Sequence, residues 1–203
     1  MIKLRLILFL ICSISALNAI FAIETAENLL DRCADKIAKA PSITFDFVLS
    51  YNNNSSDCEL IISRDKYRLS SQELEVWYDG KTQWAYSVSD KEVSITEPVP
   101  EELLEINPFV IISNYKKNYT YRRLSGDNNE IELVPKGKMA NIRKAVVFID
   151  GKSFLPSKLI ITMSNGRTLS VSVKSCVEGK ALPSSLFIYN EKKYPADSII
   201  DLR

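Results

Sequence analysis

Histidine is absent from all 203 residues. That removes the commonest general base and the commonest zinc ligand together. Metal binding through Cys and His spacing has no material to work with, so neither a metal nor a cofactor is expected. No phosphate loop, dinucleotide fingerprint or Gly-x-Ser-x-Gly elbow occurs. The Ser-x-x-Lys spacings "SRDK" from Ser63 and "SNYK" from Ser113 have no Ser-Asp-Asn partner, and Ser63 falls on a strand where that motif needs a helix start. Paired carboxylates such as Glu130 and Glu132 alternate with Ile131 and Leu133, as a solvated strand face does. An enzyme is not expected. A clustered basic excess is missing too. Lys and Arg number 26 against 25 Asp and Glu, which gives no footprint for a nucleic-acid partner. Cysteine is scarce, with Cys12, Cys33, Cys58 and Cys176 the four present.

The chain opens with basic Lys3 and Arg5, then the apolar run "LILFLICSISALNAIFA", Leu6 to Ala22, then acidic "IETAEN". A charged start, a short apolar stretch and small residues at its end describe a secretory signal. Ala22 is the expected last residue removed, with Ala19 the alternative. The run is short for a membrane span. Cys12 follows Ile11, where a lipid-attachment signal needs a small residue. Residues 1–22 are therefore read as a cleaved signal and 23–203 as one exported domain. Loss of Lys3 and Arg5 takes the formal charge from +1 to −1. The remaining Cys33, Cys58 and Cys176 leave room for one disulfide and one buried thiol, and their pairing is not legible from sequence.

"TAENLLDRCADKIAKA" places Ala26, Leu29, Leu30, Cys33, Ala34, Ile37 and Ala38 at helical spacing, with charged residues opposite and Pro41 as the stop. Burial makes Cys33 a small core residue rather than a reactive one. From Ser42 the rhythm becomes two. "ITFDFVLSY" aligns Ile43, Phe45, Phe47, Leu49 and Tyr51, and "CELIISR" aligns Cys58, Leu60, Ile62 and Arg64. Short alternating segments then recur to "SLFIY", punctuated by "DGK", "GDNN", "NGR" and "EGKALP". This is an antiparallel meander of about eleven strands. One stretch breaks it. In "EPVPEELLEINPFVIISNYKK", Glu97 to Lys117, Pro100 and the Asn107-Pro108 pair look like helix starts, with Asn107 as cap. An amphipathic helix before the sheet and an apolar helical segment within it both need cover, and one sheet face is the available partner.

"WYDGKTQWAY", Trp77 to Tyr86, holds both tryptophans on one hairpin. A two-residue Asp79-Gly80 loop pairs Trp77 with Thr82 and Glu75 with Trp84, mixing charge with aromatic rings. A three-residue loop ending at Gly80 pairs Val76 with Thr82 and Leu74 with Trp84. Leu74, Val76, Trp84 and Tyr86 then share the inward face, and Trp77 lies outside or at a rim. The cleaner separation favours the second register. Arg64 finishes an apolar face, either as a rim residue reaching water or turned inward toward carbonyls.

The segments "YDGKTQWAY", "NPFVII" and "IELVPK", in this order and spacing, with the closing "FIYNEKKYPADSIIDLR", resemble the periplasmic outer-membrane lipoprotein carriers, the LolA-like family, and are closer to its divergent Bacteroidetes-type branch. The resemblance spans about Glu27 to Arg203. It implies a mainly β (α+β) fold, an unclosed antiparallel half-barrel with an N-terminal helix and lid helices over an apolar concave face. It implies a monomeric periplasmic carrier that takes the acyl chains of triacylated lipoproteins from an inner-membrane lipoprotein-release ABC transporter to an outer-membrane acceptor. Phe45, Phe47, Leu49, Leu60, Ile62, Trp84 and Tyr86 are expected to line the sheet side of the cavity, and Phe109 and Ile112 its cover. The family's inner-face arginine holds the lid, and Arg64 matches its place, although Asp65 stands where the better-known members have proline. The same periodicity also fits an ordinary closed core. A lipid- or glycolipid-binding sensor module of the same fold is the alternative function.

Overall fold

The computed structural model describes residues 24–52, 54–99, 102–124, 129–137 and 142–203. The expected signal, residues 1–22, and the helix start expected at Pro100 lie outside them. The first described helix, α1, runs Ala26–Lys39. Thr25 caps it from extended backbone, its hydroxyl accepting from the Asn28 amide, with Glu27 in the first turn and Lys36 and Lys39 in the last. Those charges sit where the helix dipole favours them. Leu29, Leu30, Cys33 and Ile37 form the buried stripe.

Twelve strands follow among the described residues: β1 Ser42–Tyr51, β2 Asn54–Ser63, β3 Lys66–Ser71, β4 Leu74–Tyr78, β5 Gln83–Ser87, β6 Glu92–Thr96, β7 Tyr119–Arg123, β8 Glu130–Pro135, β9 Ile142–Ile149, β10 Pro156–Met163, β11 Thr168–Gly179 and β12 Ser198–Asp201. They form one sheet in the order β12-β6-β5-β4-β3-β2-β1-β11-β10-β9-β8-β7. β12 and β7 are its edges, so the barrel is not closed. All neighbours are antiparallel except β12, which joins β6 in parallel. This last strand is not the expected "SLFIY" segment. Ser184–Phe187 is instead a 3-10 turn with Phe187 buried beneath it.

The order has one consequence for the site. β6 lies next to one edge and β7 at the other, so the chain between them must cross a whole face of the sheet. It does so through three one-turn helices, α2 Leu103–Ile106, α3 Val110–Ser113 and α4 Tyr115–Asn118. The face covered by α1 and this crossover is the inner face. Its side chains join theirs in one apolar cluster that includes Phe45, Leu60, Val76, Ile131, Val147 and Leu159.

The outer face carries a second cluster. Trp77, Tyr86 and Val93 are buried there, flanked by half-buried Trp84 and Ile95, beneath Tyr189, Tyr194 and Ala196 of the tail between β11 and β12. Tyr194 meets Trp77 edge-on at 4.8 Å and Tyr189 does so at 5.6 Å. The register of the aromatic hairpin explains this and corrects the expectation. Trp77 pairs Trp84, Glu75 pairs Tyr86, and Tyr78 pairs Gln83, so the loop has four residues, Asp79 to Thr82. The Asp79 carboxylate builds it, accepting from the Lys81 and Thr82 amides at 2.9 and 2.8 Å. Gly80 takes φ 101° there, and a Cβ on it would strike the Asp65 carboxylate at 2.5 Å. Charge and rings do share one face, because the face supplies its own counter-ion. Arg68 donates to Glu75 at 3.0 Å and to the Tyr194 hydroxyl at 2.9 Å, and Ser70 donates to the same Glu75 oxygen.

Trp77→Ala is expected to lower the free energy of unfolding in urea by about 3–5 kcal/mol. Trp84→Ala, at a half-buried ring, is expected to cost only about 1 kcal/mol. The reverse order of losses would restore the three-residue-loop register.

Candidate functional site

The inner face at β1 and β2 is built by strict alternation. Ile43, Phe45, Phe47 and Leu49 of β1 point inward, and Cys58, Leu60 and Ile62 of β2 stand beside them, with Phe45 opposite Leu60 and Phe47 opposite Cys58. Phe45 and Leu60 are wholly buried. Over them sits the crossover. Asn107 is buried, and its Oδ1 accepts from the Phe109 amide at 3.1 Å, which turns the chain ahead of α3 and aims the Phe109 ring downward. That ring stacks on Phe45 at 4.0 Å and 13° and meets Phe47 edge-on at 5.8 Å. Ile112, one turn on, is fully buried beside it. Seven of the nine expected cavity residues are thus gathered: Phe45, Phe47, Leu49, Leu60, Ile62, Phe109 and Ile112. Trp84 and Tyr86 are not. They lie on the outer face under the tail, because the hairpin loop is one residue longer than expected and every side chain of β5 changes face.

Arg64 is corrected as well. β2 ends at Ser63, which pairs Lys66, so Arg64 is the first residue of a two-residue turn. It is exposed, with a left-handed φ of 58°. Parity stops at the strand's end, and a turn residue obeys no face rule. Among the described residues Arg64 makes no hydrogen bond to the crossover. The crossover is held from α1 instead. The Tyr115 hydroxyl donates to Asp31 Oδ1 at 2.6 Å, and Lys116 Nζ reaches Asp31 Oδ2 at 2.9 Å and Glu27 at 3.4 Å. Lys136 Nζ donates to the Lys116 carbonyl from the β8 side. Sequence reading missed this latch. Asp31 lies on the charged side of α1, and nothing local says that a tyrosine 84 residues away turns toward it.

The electrostatics are those of a small surface clamp. The ammonium of Lys116 and then the Tyr115 hydroxyl hold the Asp31 carboxyl below its ordinary range. Burial, followed by Asp31 itself, pushes the Tyr115 phenol up. Beneath the clamp the interior is lined by apolar side chains together with the buried Cys33 and Cys58 thiols. The arrangement can shelter apolar matter. Beside α1 a groove of about 380 Å³ opens between Arg32, Lys36, Lys39 and Phe154. Its cations are already paired, Arg32 with Glu24 at 2.9 Å, Lys36 with Glu178 at 3.4 Å and Lys39 with Asp35.

A family model described as outer membrane lipoprotein carrier protein LolA matches residues 17–167. Among solved structures, an uncharacterized conserved protein from Thermus thermophilus is similar with a TM-score of 0.55 at 12% identity, over 87% of this chain and 98% of that one. MucB, also solved in complex with MucA from Pseudomonas aeruginosa, is similar with a TM-score of 0.50 at 17% identity, over 81% of this chain and 62% of MucB. A LolA superfamily protein from Nitrosomonas europaea gives 0.46 at 11% identity, over 82% of this chain and 98% of that one. At these identities the likeness shows the fold alone. No curated protein matches the sequence.

Two outcomes follow from the geometry. Asp31 has a folded pKa below its unfolded value of about 3.9, so its contribution is complete above that pH and lost as pH falls through the folded value. The melting temperatures of wild type and Asp31→Asn are expected to differ by no more than about 2–4 °C at pH 7 and to converge toward pH 2; parallel curves would mean the clamp does not act through charge. Arg64→Gly, which relaxes a left-handed backbone, is expected to raise the free energy of unfolding in urea by about 1 kcal/mol, and a loss would mean that the guanidinium holds something.

Proposed function

We propose, from the premise that this chain belongs to the outer membrane lipoprotein carrier (LolA) family, that it shields acyl chains of lipoproteins on its inner face during their transfer between membranes. The observation that carries this reading is the Phe109 ring stacked on Phe45. This buried ring belongs to a crossover of one-turn helices, whose ion pairs lie at its solvent edge. It is a plug that acyl carbon can replace.

Magnitudes decide which occupant wins. Withdrawing Phe109 and Ile112 from the sheet costs about 3–6 kcal/mol, at roughly 1.5–3 kcal/mol for each side chain. One acyl chain of about sixteen carbons gains about 12 kcal/mol on leaving water, at roughly 0.8 kcal/mol per methylene. Even a single chain outweighs the plug, and its departure into a bilayer lets the plug return. The free protein then never exposes the inner face. In this reading the lining is Phe45, Phe47, Leu49, Leu60 and Ile62, the cover is Phe109 and Ile112, residues 1–22 direct export to the periplasm, and an inner-membrane release transporter and an outer-membrane acceptor flank the carrier.

The test is direct. The protein purified from its own cell envelope is expected to carry acylated peptides or lipoproteins by native mass spectrometry. In vitro, a dansylated triacylated lipopeptide is expected to bind with blue-shifted emission, and Phe109→Ala, which leaves a preformed void, is expected to bind it about tenfold more tightly while losing about 3–5 kcal/mol of stability in the free state. An empty native protein, together with a lipopeptide left unbound by both forms, overturns the proposal.

A further inference from the structure

Two of the three described cysteines meet at one interface. Cys33 is wholly buried on α1, facing the sheet. Cys176 is opposite Phe45 on β11, and it packs against the same apolar cluster. The two elements run side by side there. Lys36, one turn beyond Cys33, meets Glu178, two residues beyond Cys176, at 3.4 Å. Ser42, just after α1, pairs Gly179 and donates to the Lys180 carbonyl at 2.8 Å. A step back of about 4.5 Å along the helix and about 6.8 Å along the strand brings Cys33 over Cys176. Cys58 is excluded as a partner of Cys176. It stands beyond β1, opposite Phe47, so two strand spacings, about 9.6 Å, separate it from β11. A disulfide tolerates roughly 7 Å between Cα atoms.

We propose that Cys33 and Cys176 are a disulfide-forming pair that staples α1 to β11 when the chain folds in the presence of a disulfide oxidant, leaving Cys58 reduced. Both thiols are free in this structure. One thiolate attacks a sulfur of the oxidant, glutathione disulfide or a protein disulfide, and releases its first thiol. The second thiolate displaces the other half from the mixed disulfide. One S–S bond forms in the protein, one breaks in the oxidant, and the two protein protons end on the oxidant's two sulfurs. Burial sets the timing. It pushes both thiols up to about 12, Cys33 further raised by its neighbour Cys176, so exchange in the finished fold is slow and the bond forms while α1 is docking, before its face is sealed from water. On the carrier reading, the staple fixes α1 as the permanent part of the roof and leaves the β6–β7 crossover as the part that lifts. The bond itself does not rest on that reading.

The experiment is peptide mapping. The protein is unfolded in urea with dithiothreitol and refolded in oxidised and reduced glutathione. It is then capped with iodoacetamide and digested without reduction. The expected product is a single linked pair containing Cys33 and Cys176 with an alkylated Cys58. Cys58→Ser keeps the link, Cys176→Ser abolishes it, and the folded reduced protein forms it at least about tenfold more slowly than the refolding chain, as thiolate scarcity requires. Three alkylated cysteines, or any link through Cys58, overturns the proposal, and lipopeptide binding measured on the same samples reports separately on the carrier reading.

Discussion

Among the described residues an unclosed sheet of twelve strands has an apolar inner face and an aromatic patch on its outer face to hide, and no second sheet to hide them. Everything else in this molecule answers that constraint. Both are covered by the chain's own connections. The crossover between β6 and β7 spans the inner face because those strands lie at opposite ends of the sheet, and the tail between β11 and β12 covers the aromatic patch of β4, β5 and β6 on its way to β12 beside β6. The two covers are fastened differently. The tail is held by edge-on rings and by Arg68, whose ion pair with Glu75 is about 85% removed from water, the two side chains being 15% and 14% exposed. Removing one partner of such a pair strands a buried charge. The crossover is held by a clamp at its rim, with Asp31 and Lys116 about half exposed, where ion pairs contribute little.

That asymmetry separates a fixed wall from a movable one. Local opening follows the cheapest fastenings, and the inner cover has short helices and solvent-facing clamps. The apolar surface that opening exposes is continuous, from Phe45 and Leu60 across to Val147 and Leu159. An apolar face that is uncovered only briefly must either close again or take an apolar occupant.

Much of this was legible before any coordinates. The period of two in "ITFDFVLSY" placed Phe45, Phe47 and Leu49 together on the buried side, and the Asn107-Pro108 pair marked the crossover, although Asn107 ends α2 rather than capping the next helix, which starts at Val110 after Phe109. The errors cluster where a local rule met a tertiary one. Keeping charge away from aromatic rings misassigned Trp84 and Tyr86, because Glu75 finds Arg68 on the neighbouring strand. Parity carried Arg64 inward, but the strand had already ended. The clamp of Tyr115 on Asp31 joins residues far apart in sequence with no shared periodicity. Faces could be read from sequence, then, while loop length and long-range polar contacts could not.

The plug and the clamp place opposite demands on the same segment. Phe109 must fit Phe45 closely enough to keep water off the inner face, yet not so tightly that an acyl chain cannot displace it. A single stacked ring pair adds only about 0.5–1.5 kcal/mol beyond its area. A rigid cover would need a longer helix or a buried charge pair, as the outer face has in Arg68 and Glu75. The crossover instead divides its residues among three one-turn helices, each too short to hold its shape alone. Its order depends on the face beneath it, so lifting the plug loosens the cover that carries it, and reseating the plug rebuilds that cover.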